Sequence, residues 1–198
     1  MAGNNPGSQW PEFKRKLFHI LLGILIVMLV QLDILKLWMV ILLLIIGIII
    51  TVISIYIDIP IISWFLKHFE RPKHIKTFPG KGVLFIIAAL LVLMIFFPKN
   101  IISASIMIWT FGDSISWLIG RNFGKIRHPL NDARLVEGTI AGIIISTIAA
   151  SMFVNILFAL IASIAALGIE SLEIKFFRGS IDDNLLVPLI SAIVLFLL

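Results

Sequence analysis

From Ile34 to Ile57 the chain carries one charge, Lys36, in an otherwise apolar run. Coiled as a helix rising ~1.5 Å per residue, such a run is long enough to cross the ~30 Å hydrocarbon layer of a bilayer. Similar runs recur to the end of the chain. Of its 198 residues 60% are hydrophobic and 14% charged, and the mean hydropathy is +1.12. A water-soluble domain of this size needs more polar surface than that. The expectation is therefore an all-α integral membrane protein.

Helices are expected roughly at 13–31, 34–57, 82–97, 100–122, 137–153, 155–175 and 184–198, giving about seven membrane spans. The stretch from Glu137 to Glu170 is too long for one untilted span and divides at Asn155, its strongly polar interior residue; without that division six spans remain. Residues 1–12 read as a flexible lead, and 13–198 as a single polytopic transmembrane catalytic domain. Lys14, Arg15 and Lys16 before an apolar run resemble a signal peptide, but no small-residue cleavage pattern follows Val30, so the first helix is expected to be retained.

Loops rich in Lys and Arg stay in the cytoplasm. Lys14, Arg15 and Lys16, then Lys67, Arg71, Lys73, Lys76 and Lys81, then Arg121, Lys125, Arg127 and Arg134, then Lys175 and Arg178 fall on one side, against Lys36 and Lys99 on the other. This puts the N-terminus in the cytoplasm and, with seven spans, the C-terminus outside. It also accounts for the net charge of +5 without nucleic acid. There is no cysteine, which excludes a disulfide framework, a thiolate nucleophile and a Cys-based metal site.

Between Ile59 and Lys81, Trp64, Phe65, His68, Phe69, Arg71 and His74 mix aromatic and basic character, as an interfacial helix or loop does. Phe78-Pro79-Gly80-Lys81-Gly82 then makes a turn, which either presents amides and a lysine to a phosphate or simply ends a loop.

Asp113 precedes Arg121 by eight positions, ~12 Å along a helix axis, which sets it inside the membrane zone. A carboxylate there is costly, by ~2.5–3.5 kcal/mol on insertion scales, and so marks a functional position or a hydrogen bond between helices. Asp113, Ser116, Gly120 and Gly124 share one helix face, whose small residues admit a nucleotide or a neighbouring helix. Beyond it lie Arg121, Lys125, Arg127, His128 and Arg134, then Glu137 and Gly138 at the start of the next helix. Clustered bases and a helix N-terminus favour a phosphate chain, and Asp113 with Glu137 suits a Mg²⁺ ion bridging phosphate oxygens.

These residues resemble the CTP-dependent lipid-alcohol kinases, the group that includes dolichol kinase, phytol kinase and the CTP-using diacylglycerol kinases. In that group the motif runs Asp, two residues, Ala, three, Gly, three, Gly, eight, then Lys-Lys-Thr, one residue and Glu-Gly. Asp113, Gly120, Gly124, Glu137 and Gly138 stand at those spacings with Ser116 at the Ala, while Ala133, Arg134 and Leu135 replace Lys-Lys-Thr. Near the N-terminus, Glu12, Arg15, Lys16 and His19 resemble the basic-then-histidine entry of the group; Glu170, Asp182, Asp183, Asn184 and Pro188 resemble its closing segment. Phosphatidate cytidylyltransferases look similar over the central motif, but have a longer chain and a His-Gly-Gly-rich, Asp-Arg ending that is absent here.

The resemblance implies a kinase that moves the γ-phosphate of CTP, with Mg²⁺, onto the hydroxyl of a membrane lipid alcohol: a polyprenol, a phytol-like alcohol or a diacylglycerol. Asp113 and Glu137 are expected to hold metal, with Glu170 and Asp183 as further ligands, and Asp182 or Asp183 to serve a second metal or as the base. Arg15, Lys16, Arg121, Lys125 and Arg134 are expected to bind phosphates, Ser116, Gly120, Gly124 and Gly138 to let the nucleotide approach, and His19 to contact phosphate or the lipid hydroxyl. Plainer readings stand beside these. Asp182-Asp183-Asn184 suits a helix N-cap, Glu170 and Glu173 suit a shared cation or a solvated interface, and His19 suits a structural role. Cytidylyl transfer and a small channel or transporter lined by Asp113 are the competing functions. Expected partners are CTP, the lipid alcohol and the bilayer, with a homodimer left open.

Overall fold

The computed structural model describes residues 9–70, 75, 77–129, 131–172, 175–176, 179–180 and 182–198. Among them are eight helices: α1 (Gln9–Gln31), α2 (Leu37–Tyr56), α3 (Pro60–Phe69), α4 (Lys81–Phe96), α5 (Lys99–Phe123), α6 (Val136–Ala150), α7 (Ile156–Ser171) and α8 (Asp183–Leu197). Two short antiparallel pairs interrupt them. β1 (Arg127–His128) pairs with β2 (Asn131–Leu135), and β3 (Lys175–Phe176) with β4 (Gly179–Ser180). The strands lie in polar connections that read as loops in the sequence.

α1 starts at Gln9, four residues before the expected helix start at 13; Pro11 falls in its first turn, where a missing N–H costs nothing. The break between α6 and α7 comes where Asn155 stands, and its side chain accepts from the amide of Leu157 to cap α7. Asp33 turns the chain between α1 and α2 in the left-handed region (φ 58°), which a short polar side chain tolerates. A hydrogen bond and the charge of Lys99 hold its carboxyl below the usual range.

α5 is the central helix. Every residue from Ile101 to Thr110 is buried, and α1, α4, α6, α7 and α8 all pack on it. α2 lies outside, against α4, and buries only Val40 and Thr51. α3 docks on α1 through an aromatic cluster in which Phe18 stacks on Phe65 and Phe69, with ring centroids 5.1 and 4.9 Å apart.

α2 and α5, with 20 and 25 residues, are long and apolar enough to cross a membrane. α4, α6, α7 and α8 are apolar but shorter, at 15 or 16 residues, or ~22–24 Å. Polarity is distributed inside out. Leu17, Leu21, Leu25 and Met28 form an exposed stripe on α1, and Ile45, Ile48, Ile49 and Val52 are exposed on α2, whereas Ser103, Ser105, Thr110, Ser146, Ser163 and Ser191 are buried. Some of these hydroxyls tie helices together: Gln31 donates to Ser103 between α1 and α5, and Ser146 to Ser163 between α6 and α7.

Candidate functional site

Three helices bring a carboxylate to one point. Asp113 of α5, Glu170 in the last turn of α7 and Asp183 at the start of α8 each offer an oxygen within 4.8 Å of the other two. They come from distant parts of the chain, and packing of α7 and α8 against α5 joins them. Three anions this close need compensation. From α1, Lys16 Nζ lies 2.5 Å from Asp113 Oδ2, with both side chains buried. From β2, Arg134 pairs with Glu170. Burial works against the Arg134 guanidinium, but Glu170, Asp113 and Asp183 outweigh it and hold the group more firmly protonated than usual.

The approach to α8 is held by a second polar group. Asp182 accepts from the amide of Asn184 as the N-cap of α8, so the cap reading applies to Asp182 and the cluster reading to Asp183. Lys81, at the start of α4, reaches Asp182 at 3.1 Å. The Phe78-Pro79-Gly80 turn therefore docks α4 onto α8, and Thr51 secures it by donating to the carbonyl of Pro79. Burial and the neighbouring Asp183 push the Asp182 carboxyl above its ordinary value. Trp109, one helical turn before Asp113, donates to Asn184 Oδ1 at 2.9 Å and stacks on His19 at 3.9 Å between centroids. Trp109 was not among the expected site residues, and its four-residue spacing from Asp113 is the signal that would have found it; Lys81, offered as a possible phosphate contact, pairs with Asp182.

Among the described residues, Glu170 Oε2 and His19 Nε2 in this site find no hydrogen-bond partner, nor do the hydroxyls of Ser114 and Ser116 near Asp113. His19 Nδ1 faces Asp113 Oδ2 at 3.7 Å. A buried oxygen left unsatisfied is costly unless a ligand completes it. Three convergent carboxylates with a free oxygen suit a hard divalent cation such as Mg²⁺, which takes oxygen ligands and keeps room for water or phosphate.

Glu137, expected to hold metal with Asp113, is not among the three clustered carboxylates. Its carboxylate accepts from the amides of Lys125 and Ile126, at 2.9 and 3.2 Å, and so fastens the connection after α5 to the first turn of α6. Gly138, the next residue, takes the face of α6 that meets α5. A Cβ there would lie 2.3 Å from the carbonyl oxygen of Ser116 and 2.8 Å from Cα of Gly120. Ser116, Gly120 and Gly138 therefore serve close helix packing, and Gly124, at the end of α5, lies against Leu135. Arg121 is exposed over the ring of Trp117 at 5.6 Å, and Lys125 is exposed in the following connection. Arg15 pairs with Glu12 on its own helix. Glu173 lies outside the described residues, as do Arg71, Lys73, His74 and Lys76.

No protein-family model, curated protein or solved structure matches the chain.

Proposed function

We propose that this chain is a multi-pass membrane protein with seven spans and a cytoplasmic N-terminus, and that it is a CTP-dependent kinase of a membrane lipid alcohol. The observation that carries the site is the convergence of Asp113, Glu170 and Asp183 between the cations Lys16 and Arg134, with one oxygen of Glu170 free. Lys16, Asp113, Glu170 and Asp183 stand in the halves of α1, α5, α7 and α8 that the charge asymmetry assigns to the cytoplasm, the compartment that holds nucleotide. The exposed apolar stripes on α1 and α2 suit contact with lipid. Seven spans follow from α1, α2, α4, α5, α6, α7 and α8, with α3 lying along the interface.

Asp113, Glu170 and Asp183 would hold Mg²⁺, which when bound neutralises charge on the phosphates. Lys16 and Arg134, each paired with one of these carboxylates, stand ready to turn to the phosphates of CTP, and the motif resemblance points to that nucleotide. The alcohol oxygen bonds to the γ-phosphorus as the bond to the bridging oxygen breaks; CDP leaves, and the alcohol's proton passes to His19 Nε2. Phosphoryl transfer depends mainly on positioning and charge, which buried, mutually paired groups supply.

Purified protein supplied with γ-labelled CTP and a panel of lipid alcohols tests this. Label is expected in a lipid phosphate, with CDP released. Release of pyrophosphate with no label in lipid would replace the kinase by a cytidylyltransferase, and no CTP consumption with any lipid would remove both.

A further inference from the structure

Beside the carboxylate site lies a cavity of about 400 Å³ between α1, α2, α3 and α4. Its walls are almost wholly apolar, with Leu22, Ile50, Phe65, Leu66 and Leu84 among them. Arg15, His19 and Asn184 line it where it meets the site, with Trp109, and Thr51, Ser54 and Glu70 are its other polar lining residues. His19 belongs to both spaces. Nδ1 is turned to Asp113, the ring is more than nine-tenths buried, and Nε2 has no partner among the described residues.

We propose that this cavity binds the substrate lipid as a single hydrocarbon chain, with its terminal hydroxyl donating to His19 Nε2; the identity of the molecule as a substrate rests on the kinase reading above. Three features select this occupant. The apolar walls reward a chain rather than a sugar or nucleotide, at ~25 cal/mol per Å² buried. The volume is at the lower end of the ~300–1,000 Å³ typical of ligand sites, which suits one chain better than two. The unpartnered ring nitrogen is a hydrogen-bond acceptor when Nδ1 carries the proton toward Asp113, so it calls for a donor, which a free alcohol has and an ether lacks. Ile61, at the start of α3, lines the cavity while being 82% exposed, which places a mouth toward the surroundings of the helices. A lipid entering there reaches the carboxylates head first.

The test is photolabelling of the full chain in detergent by a diazirine-bearing hexadecanol, without CTP, so that it is independent of turnover. Label is expected on cavity residues of α1 to α4. Ile50→Trp, which fills the cavity, and Ile61→Trp, which blocks the mouth from an exposed position and so leaves folding intact, should each cut labelling about tenfold, or ~1.4 kcal/mol of binding. Hexadecanol should compete better than dioleoylglycerol, and better than hexadecyl methyl ether. His19→Phe, which keeps the stack on Trp109, should abolish the preference for alcohol over ether while labelling persists. Undiminished labelling in the folded Ile61→Trp variant, equal competition by dioleoylglycerol, or a preference for alcohol that survives His19→Phe would overturn the proposal. Labelling as expected with no CTP turnover would refute the kinase and leave the lipid site standing; turnover that is normal in Ile61→Trp would do the reverse.

Discussion

Lys16 Nζ and Asp113 Oδ2, separated by 97 residues in sequence and 2.5 Å in space, join the start of α1 to the middle of α5 as a buried ion pair. Lys16 thereby supplies positive charge at the point where three carboxylates converge. Removing it with Lys16→Met leaves Asp113 buried beside Glu170 and Asp183, and a broken buried pair costs about 3–5 kcal/mol. A divalent cation can restore the missing charge. The thermal midpoint of the variant should fall in chelator and rise with added Mg²⁺ by more than that of the unaltered chain. An equal rise in both proteins would mean that the ion does not bind these carboxylates.

The same geometry separates Glu137 from the other acidic residues. Asp113→Asn, Glu170→Gln and Asp183→Asn should each lower CTP turnover at least about a hundredfold, the scale of losing one preorganised electrostatic contact. Glu137→Gln keeps an oxygen for the amides of Lys125 and Ile126, and should lower turnover by less than about tenfold with its Mg²⁺ dependence unchanged. Turnover assayed across a Mg²⁺ series checks both statements. Loss of Mg²⁺ dependence in Glu137→Gln would return that residue to the metal.

Much of this was legible in the sequence, and the part that was not has a physical cause. Long apolar runs bounded by polar residues mark helices, so the helices fall close to their expected positions, and Asn155 marks a helix start because its side chain serves as a cap. Asp113, Glu170 and Asp183 each stood out as acidic residues in or beside apolar segments. Their meeting depends on which helices pack together, and helical spacing within one segment carries no information on that. Motif spacing fixes the place of Glu137 in the chain but not its direction; one residue of rotation decides whether a side chain of α6 faces α5 or the loop. Lys16 was expected at phosphate, and its pairing with Asp113 across helices has no local signature.

The packing of α5 on α6 makes a graded prediction. A Cβ on Gly142 would lie 2.0 Å from Ser116 Oγ and 2.7 Å from the carbonyl oxygen of Gly112, and on Gly138 2.3 Å from the carbonyl oxygen of Ser116, whereas Gly168 of α7 has nothing within 4 Å. Gly138→Ala and Gly142→Ala should destabilise by about 1–3 kcal/mol as the helices are forced apart. Gly168→Ala should be neutral or stabilise by up to about 1 kcal/mol, since alanine favours helix. Denaturation midpoints of the three variants decide this, and equal effects would mean that α5 and α6 are not in close contact.

Asp182 gives the fold a pH dependence of definite sign. Its carboxyl is raised from 3.8, by burial first and then by Asp183, so the folded chain holds that proton more tightly than the unfolded one. Such a group favours the native state as pH falls; its penalty is absent below the unfolded value and complete once pH exceeds the raised one. Asp182→Asn retains the cap on α8 and removes the titration. Its midpoint should gain on that of the unaltered chain as pH rises from about 4 to about 7. A gap that narrows over this range would show that the pair with Lys81 outweighs burial.

Topology can be tested directly because the chain has no cysteine. With α1, α2, α4, α5, α6, α7 and α8 as spans, Asn100 at the start of α5 and Met152 between α6 and α7 face outward, and Asn122 at the end of α5 faces the cytoplasm. All three residues are exposed, Met152 at 77%. Asn100→Cys and Met152→Cys should react with a membrane-impermeant maleimide in intact cells, and Asn122→Cys only after permeabilisation. Met152 discriminates further. If α6 and α7 formed one continuous span, this position would sit at membrane depth and stay unlabelled under both conditions, leaving six spans and a cytoplasmic C-terminus. Labelling of Asn122→Cys in intact cells would put the carboxylates on the face away from nucleotide, and would sink the kinase along with the orientation.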